Sequence, residues 1–128
     1  MVIDSSALLA IVLEEPDSSV YASAISNSPA CWLSAASLVE ASIVLMRRRS
    51  SNPIAVLDKL IESQQIVIVP VDHEQALLAR KAFLRFGKGR HPASLNFGDC
   101  FSYALAKQMD ESLLFKGGDF AHTDIVAA

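Results

Sequence analysis

Short apolar runs alternate with longer amphipathic stretches along the whole chain. The runs have the length and composition of buried strands, and each of the first four is followed by a stretch with helical or turn character. This alternation predicts an α/β fold with a mostly parallel central sheet of four to five short strands and helices on both faces. The predicted strands are residues 1–4, 31–33, 65–70 and 112–115, with a last short strand at 124–126.

Six helices are expected between these strands. Residues 35–49 are apolar almost all round, and the run Ile-Val-Ile-Val inside 65–70 is typical of a strand covered on both faces. Asp17, Ser34 and Asp72 stand where side-chain N-caps are expected. The predicted helices are residues 5–13, 17–26, 35–49, 53 to about 64, 72 to about 86, and 97–109.

The composition fits one domain over residues 1–128, with 52% hydrophobic residues and a net charge of −3. No apolar run approaches the roughly 18 residues that span a bilayer, and Asp4 interrupts the first one, so we expect neither a membrane segment nor a signal peptide. Cys31 and Cys100 lack metal-site spacing and are expected to be free thiols in the cytoplasm. The surplus of apolar residues points to a partner or a homodimer.

Four carboxylates occupy positions where an acid is unexpected. Asp4 and Asp119 follow predicted strands, Glu40 lies inside an apolar helix, and Asp99 opens another. The carboxyl ends of parallel strands meet at one edge of a sheet, so the topology brings all four acids to the same end.

Each acid also has an ordinary structural explanation. Asp4 can cap the next helix, Asp99 can form a capping box with Asn96, and Asp119 can be a turn residue. Glu40 is the hardest to explain in this way, because its helical neighbours offer no cation. Taken together, four crowded carboxylates repel one another unless a cation relieves them. Oxygen-only ligands suit Mg²⁺ or Mn²⁺, and these ions suit phosphoryl chemistry.

A basic segment supports a polyanionic substrate. Residues 75–98 contain no acid. Lys81, Arg85 and Lys88 are expected on one helical face, where they would contact a phosphate backbone. The three arginines at residues 47–49 would either contact the same phosphate backbone or balance the negative end of the helix dipole at the C-terminus of their helix. The full set of candidate RNA contacts is Arg80, Lys81, Arg85, Lys88 and Arg90, with His91 as a further possibility.

In four segments the sequence resembles PIN-domain ribonucleases, and specifically the VapC toxins of toxin–antitoxin pairs. The segments are residues 2–6 (Val-Ile-Asp-Ser-Ser), 34–40, 96–106 (beginning Asn-Phe-Gly-Asp) and 113–120, followed by Thr-Asp-Ile at 123–125. The resemblance implies a metal-dependent endoribonuclease that cleaves RNA, inhibits growth, forms a homodimer and is blocked by a VapB-type antitoxin. It implies Asp4, Glu40, Asp99 and Asp119 as catalytic metal-site residues, a Mg²⁺ or Mn²⁺ cofactor, and Ser6 as a supporting polar group. Asp119 is preferred to Asp124, which we expect to open the last strand.

Two alternatives remain open at this point. A non-catalytic PIN-like module would bind RNA or protein without cleaving it. A phospho-receiver signalling domain would use Lys116 as its strand-end lysine. Such domains need an adjacent acidic pair after the first strand, whereas Asp4 is followed by two serines, and the only acceptor candidate, Asp72, follows Pro70 as a helix cap.

Overall fold

A single parallel sheet organises the structure, a computed structural model that describes residues 1–48 and 52–128. The strand order is β3-β2-β1-β4, which confirms the predicted α/β class and four of the predicted strands. The strands are β1 (Val2–Ile3), β2 (Trp32–Ser34), β3 (Val67–Val69) and β4 (Leu113–Leu114). The helices are α1 (Ser5–Val12), α2 (Ser18–Asn27), α3 (Ala35–Met46), α4 (Pro53–Ser63), α5 (His73–Phe86) and α6 (Phe97–Met109), with a 3₁₀ turn at Phe120–His122.

Successive strand residues point into two separate cores. Val2 and Leu113 pack with residues of α5 and α6, whereas Ile3 and Leu114 pack with residues of α1 to α4. Side chains alternate between the faces of a strand, so each strand serves both cores. Helices therefore cover both faces of the sheet, as predicted.

The division of the helices follows from the order of the strands. The chain moves from β1 through β2 to β3 in one direction and then returns to the other side of β1 to form β4. Right-handed crossovers in opposite directions place their helices on opposite faces. The reversal also opens a crevice beyond the carboxyl ends of β1 and β4, and Asp4 and the segment after Leu114 lie at this crevice.

Two strand predictions need correction. The strand predicted over 65–70 is shorter and lies at the edge of the sheet, where it pairs with β2 alone. Ile68 and Val69 pack against the two cores, but Val67 is 53% exposed, so the strand is only partly covered. No strand forms at 124–126. The backbone there makes a single parallel bridge, between Leu113 and Ala127, because the side chain and carbonyl of Asp124 are held by α5 and α6 instead.

Two helix predictions also need correction. α3 ends at Met46, with Arg47 as its C-cap, and Arg49, where the predicted helix ended, lies outside the described residues. Its apolar surface is only partly covered, since Val39 is 57% exposed. Asp17 occupies the N-cap position of α2, as predicted, but makes no side-chain capping hydrogen bond, because its carboxylate binds Lys116 and the Tyr21 hydroxyl. Among the described helices, none combines the length and apolar character that crossing a membrane requires.

The burial of the strands predicts unequal sensitivity to substitution. Leu113 is fully buried in β4, so Leu113→Ala should lower the free energy of unfolding by about 2–5 kcal/mol. Val67→Thr, on the exposed side of the edge strand, should change it by less than about 0.5 kcal/mol. Urea unfolding of both variants measures the difference, and equal losses would contradict the assignment of β3 as an exposed edge.

Candidate active site

One cavity of about 240 Å³ lies at the crevice beyond β1 and β4. All four carboxylates singled out in the sequence line it, although they come from four distant segments. Ser6, the predicted supporting group, lines it too. The other lining residues are Ser5, Leu9, Val44, Asn96, Lys116 and Phe120.

Asp4 is the most deeply placed of the four acids, with 2% of its surface exposed. It is the N-cap of α1, where its Oδ2 accepts hydrogen bonds from the backbone N–H of Ser6 at 2.9 Å and from the Ser6 hydroxyl at 2.6 Å. Its Oδ1 accepts a third from the Ser102 hydroxyl at 2.6 Å. Asp4 therefore caps α1 and also lines the cavity.

Glu40 is half-buried on α3 and lies against the first turn of α6. The Ser5 hydroxyl donates a hydrogen bond of 2.8 Å to its Oε2. Burial raises the pKa of Glu40, the Ser5 hydrogen bond partly opposes this rise, and the charge of Asp4 adds to it. A Cβ at Gly98 would collide with Glu40 Oε1, so the carboxylate can occupy this position only because residue 98 has no side chain.

Asp99 forms the capping box that the sequence suggested. The Asn96 side chain accepts from the Asp99 N–H at 2.9 Å, and Asp99 Oδ2 accepts from the Asn96 N–H at 2.8 Å. Burial raises the pKa of Asp99 to about 7, the Asn96 hydrogen bond works against this, and the charges of Asp4, Asp119 and Glu40 add to it. The negative charges of the other three acids therefore contribute to the raised pKa of Asp99.

Asp119 is exposed at the start of the 3₁₀ turn and makes no side-chain capping hydrogen bond. Lys116, three residues earlier, lines the cavity, but its ammonium group binds the carboxylates of Glu15 and Asp17 on the other side. The hydrogen bond to Asp17, which has the larger effect, and the one to Glu15 both raise the pKa of Lys116. Its backbone N–H donates to the Ser6 hydroxyl at 2.9 Å.

The charge of the cavity is unbalanced within the part of the chain that the structure describes. There, none of the four acids takes part in an ion pair. Also within residues 1–48 and 52–128, no three His, Cys, Asp or Glu side chains are close enough to enclose an ion by themselves. The four carboxylates that line the cavity offer oxygen ligands, which fit Mg²⁺, an ion that retains several waters and needs few direct protein ligands.

Comparison with known proteins identifies the family of this chain. The family described as PIN domain matches residues 1–126. The chain belongs to the PIN-domain family. It is 49% identical over 129 residues to ribonuclease VapC28 of Mycobacterium tuberculosis, with 100% of this chain and 97% of the relative covered. It is 46% identical over 127 residues to ribonuclease VapC of Mycolicibacterium smegmatis, with 99% and 98% covered.

The fold comparison agrees with the sequence comparison. The crystal structure of M. tuberculosis VapC20, a toxin described as cleaving the sarcin-ricin loop, matches with a TM-score of 0.80 at 18% identity. The match covers 99% of this chain and 97% of that one. The predicted membership of the VapC-type PIN-domain ribonucleases is confirmed, and the phospho-receiver alternative is excluded.

The candidate RNA contacts of this PIN domain are all exposed: Arg80, Lys81, Arg85, Lys88 and Arg90. Arg80 lines an apolar groove of about 470 Å³ between α5 and α6. Arg85 is paired with Asp124 at 3.2 Å. Lys88 does not share a helical face with Lys81 and Arg85, as was predicted, because α5 ends at Phe86. His91 is partly buried, with its ring edge-on to Phe86.

Asp124 lies outside the cavity of the PIN domain. Its Oδ1 accepts a hydrogen bond of 2.7 Å from the Tyr103 hydroxyl, and its backbone carbonyl accepts one of 2.9 Å from Lys107. These contacts, together with the Arg85 ion pair, attach the C-terminal segment to α5 and α6. The geometry therefore favours Asp119 over Asp124 as the fourth acid of the site.

The sequence reasoning missed several residues that contact the acids. Ser5 binds Glu40, Ser102 binds Asp4, and Gly98 makes room for Glu40. The sequence does single out Ser102, because it is a polar residue three positions after Asp99 in an otherwise apolar part of the helix. No pattern in the sequence shows that it faces Asp4.

We expect Gly98→Ala to move the Glu40 side chain without unfolding the protein. The new Cβ would collide with the flexible end of Glu40, while alanine is favoured over glycine in a helix by up to about 1 kcal/mol. A crystal structure of the variant should show the Ser5–Glu40 hydrogen bond broken. Gly118→Ala is the matched control, since a Cβ there meets nothing within 4 Å. An unmoved Glu40 in Gly98→Ala would contradict this packing.

The raised pKa of Asp99 predicts a dependence of stability on pH. An unfolded aspartate titrates near 3.9, so between about pH 4 and about pH 7 the folded state holds a proton that the unfolded state has lost. This contribution to stability is lost as the pH rises through about 7. With EDTA present, the melting temperature should fall from about pH 5 to about pH 7 more steeply for the wild type than for Asp99→Asn. Parallel curves for the two proteins would contradict the raised pKa of Asp99.

Proposed function

We propose that the protein is a Mg²⁺- or Mn²⁺-dependent endoribonuclease, the toxin component of a toxin–antitoxin pair. One observation carries the proposal: Asp4, Glu40, Asp99 and Asp119, from four distant segments, line one cavity and form no ion pairs with described residues. The relatives that match this chain over its whole length are named as VapC ribonucleases. An RNA-cleaving hydrolase is the function that joins these facts.

Three of the acids would hold the metal in this proposal. Asp4, Asp99 and Asp119 supply the oxygen ligands, and Glu40 acts either as a fourth ligand or as the group that orients water. A bound Mg²⁺ would stabilise charge on the attacked phosphoryl group and make water a stronger nucleophile. The Ser5 hydroxyl fixes the orientation of the Glu40 carboxylate, and burial raises the pKa of Glu40, which makes it a better proton acceptor than an exposed glutamate. Ser6 holds Asp4 Oδ2 in place.

An acidic cavity repels RNA, so the substrate needs cations nearby. We assign this role to the exposed basic residues of the segment 80–90, of which Arg80 lies beside the first turns of α6. Arg85 is less available, since Asp124 binds it. Contacts of this kind give affinity for phosphates and leave the base sequence unread.

We also propose the partners that the family resemblance implies. The exposed apolar side chains of α3 and the exposed Phe97 of α6 support a homodimer, because they form apolar surface beside the cavity. A VapB-type antitoxin would restrain the nuclease by blocking the site. We place the active protein in the cytoplasm, where its RNA substrate is found.

The direct test is cleavage of a mixed small-RNA pool by purified protein freed of any partner. We expect cuts that need Mg²⁺ or Mn²⁺ and that EDTA stops. Asp99→Asn and Asp119→Asn should each lower the rate by about 100-fold or more, because each removes one charged oxygen ligand. Both variants should remain folded, since the substitution relieves repulsion.

Asp124→Asn serves as the control, because it changes the same chemical group outside the cavity. It should melt at a lower temperature but cleave at a rate close to that of the wild type. Wild-type cleavage by Asp99→Asn would overturn the assignment of the site. A folded wild type that cleaves no RNA with either metal would favour a non-catalytic binding module.

A further inference from the structure

Two serine hydroxyls lie in the core directly behind Asp4. Ser37 of α3 and Ser102 of α6 are both 0% exposed, and their Oγ atoms are 3.1 Å apart. The Ser102 hydroxyl donates its one hydrogen to Asp4 Oδ1 at 2.6 Å. It follows that Ser37 is the donor in the bond between the two serines.

A second path reaches Asp4 from the opposite side. The Lys116 backbone N–H donates to the Ser6 hydroxyl, which donates to Asp4 Oδ2. Every hydrogen bond along both paths therefore points towards this one carboxylate. The paths start from the segments that carry the other acids, since Ser37 is three residues from Glu40, Ser102 three from Asp99, and Lys116 three from Asp119.

We propose that Ser102, supported by Ser37, is a positioning residue that fixes the orientation of the Asp4 carboxylate for cation binding. The inference rests on the proposed metal site and adds a residue to it. A carboxylate has about four acceptor sites, and here Ser6 fills two of them with its N–H and hydroxyl while Ser102 fills one. The acceptor site that remains is on Oδ1, the oxygen that Ser102 holds.

The hydroxyl of Ser102 has a local alternative that it does not take. Serine inside a helix commonly donates to the carbonyl four residues earlier, and Ser42 of α3 does so to Leu38 at 2.8 Å. The Ser102 hydroxyl instead leaves its helix and binds an acid 98 positions away in sequence. A role limited to satisfying the helix would not need this contact, whereas orienting Asp4 does.

The loss of Ser102 should weaken the cation site more than the fold. In Ser102→Ala, Asp4 keeps its two bonds from Ser6, so α1 keeps its cap, but Oδ1 is free to turn. Outer groups that orient metal ligands typically contribute about 10- to 100-fold in affinity. Ser37→Ala, which leaves the bond to Asp4 intact, should have a smaller effect in the same direction.

The experiment is calorimetric titration of the full chain with Mn²⁺ alone, followed by thermal unfolding of each variant. We expect Ser102→Ala to bind Mn²⁺ about 10-fold or more weakly than the wild type, Ser37→Ala to lie between them, and Ser42→Ala to match the wild type. All four proteins should unfold cooperatively. If Ser102→Ala does not fold, the Mn²⁺ affinities of Ser37→Ala and Ser42→Ala are compared instead, and weaker binding by Ser37→Ala alone supports the positioning role.

The possible results separate this inference from the proposed function. Wild-type affinity in Ser102→Ala, or in Ser37→Ala where it alone can be measured, would overturn the positioning role and leave the metal site standing. The absence of Mn²⁺ binding by the wild type would overturn the metal site and the inference together. An equal loss in Ser42→Ala would show a general effect of removing helix hydroxyls and would also overturn the inference.

Discussion

The structure depends on holding the Asp4 carboxylate in place at the edge of an apolar core. Asp4 follows β1 directly and is 2% exposed, a position in which an unpaired charge is strongly unfavourable. Three donated hydrogen bonds compensate for its burial, and all three come from serines, so no positive charge is introduced. The neighbouring acids share this arrangement, since Ser5 holds Glu40 and the Asn96 backbone holds Asp99. Neutral donors fix the acids in place and leave their charge uncompensated.

The topology of the sheet explains why the acids meet where they do. The strand order reverses between β1 and β4, so the chain leaves a crevice at their carboxyl ends, and residues that are far apart in sequence arrive there together. The close approach of α3 and α6 at Gly98 then brings Glu40 onto the same cavity. The site therefore results from the path of the chain and from one missing side chain, as well as from the acids themselves.

Much of this was predictable from sequence, and the errors have physical causes. Alternating apolar runs located the four strands, and the four acids stood out because each interrupts or ends such a run. The pattern of Val67–Val69 did not show that β3 is an edge strand, because a β-branched run looks the same beside one partner or two. The sequence did not show what the side chains of Asp17 and Asp124 bind, because their partners, Lys116 and Tyr103, are distant in sequence. Hydrogen bonds such as Ser102 to Asp4 depend on the packing of α6 and have no local signature.

Lys116 shows how the charge of the cavity is maintained. It is the one basic residue among those that line the cavity within the described chain, and an ammonium group turned inward would neutralise part of the cluster. Glu15 and Asp17, in the connection between α1 and α2, bind that group on the far side, so only its backbone N–H acts toward the acids, through Ser6. Burial is the main cause of the raised pKa of Asp99, and the uncompensated charges of Asp4, Asp119 and Glu40 add to it. A fold selected for stability alone would relieve this repulsion with the lysine that is already present, whereas this one holds it away.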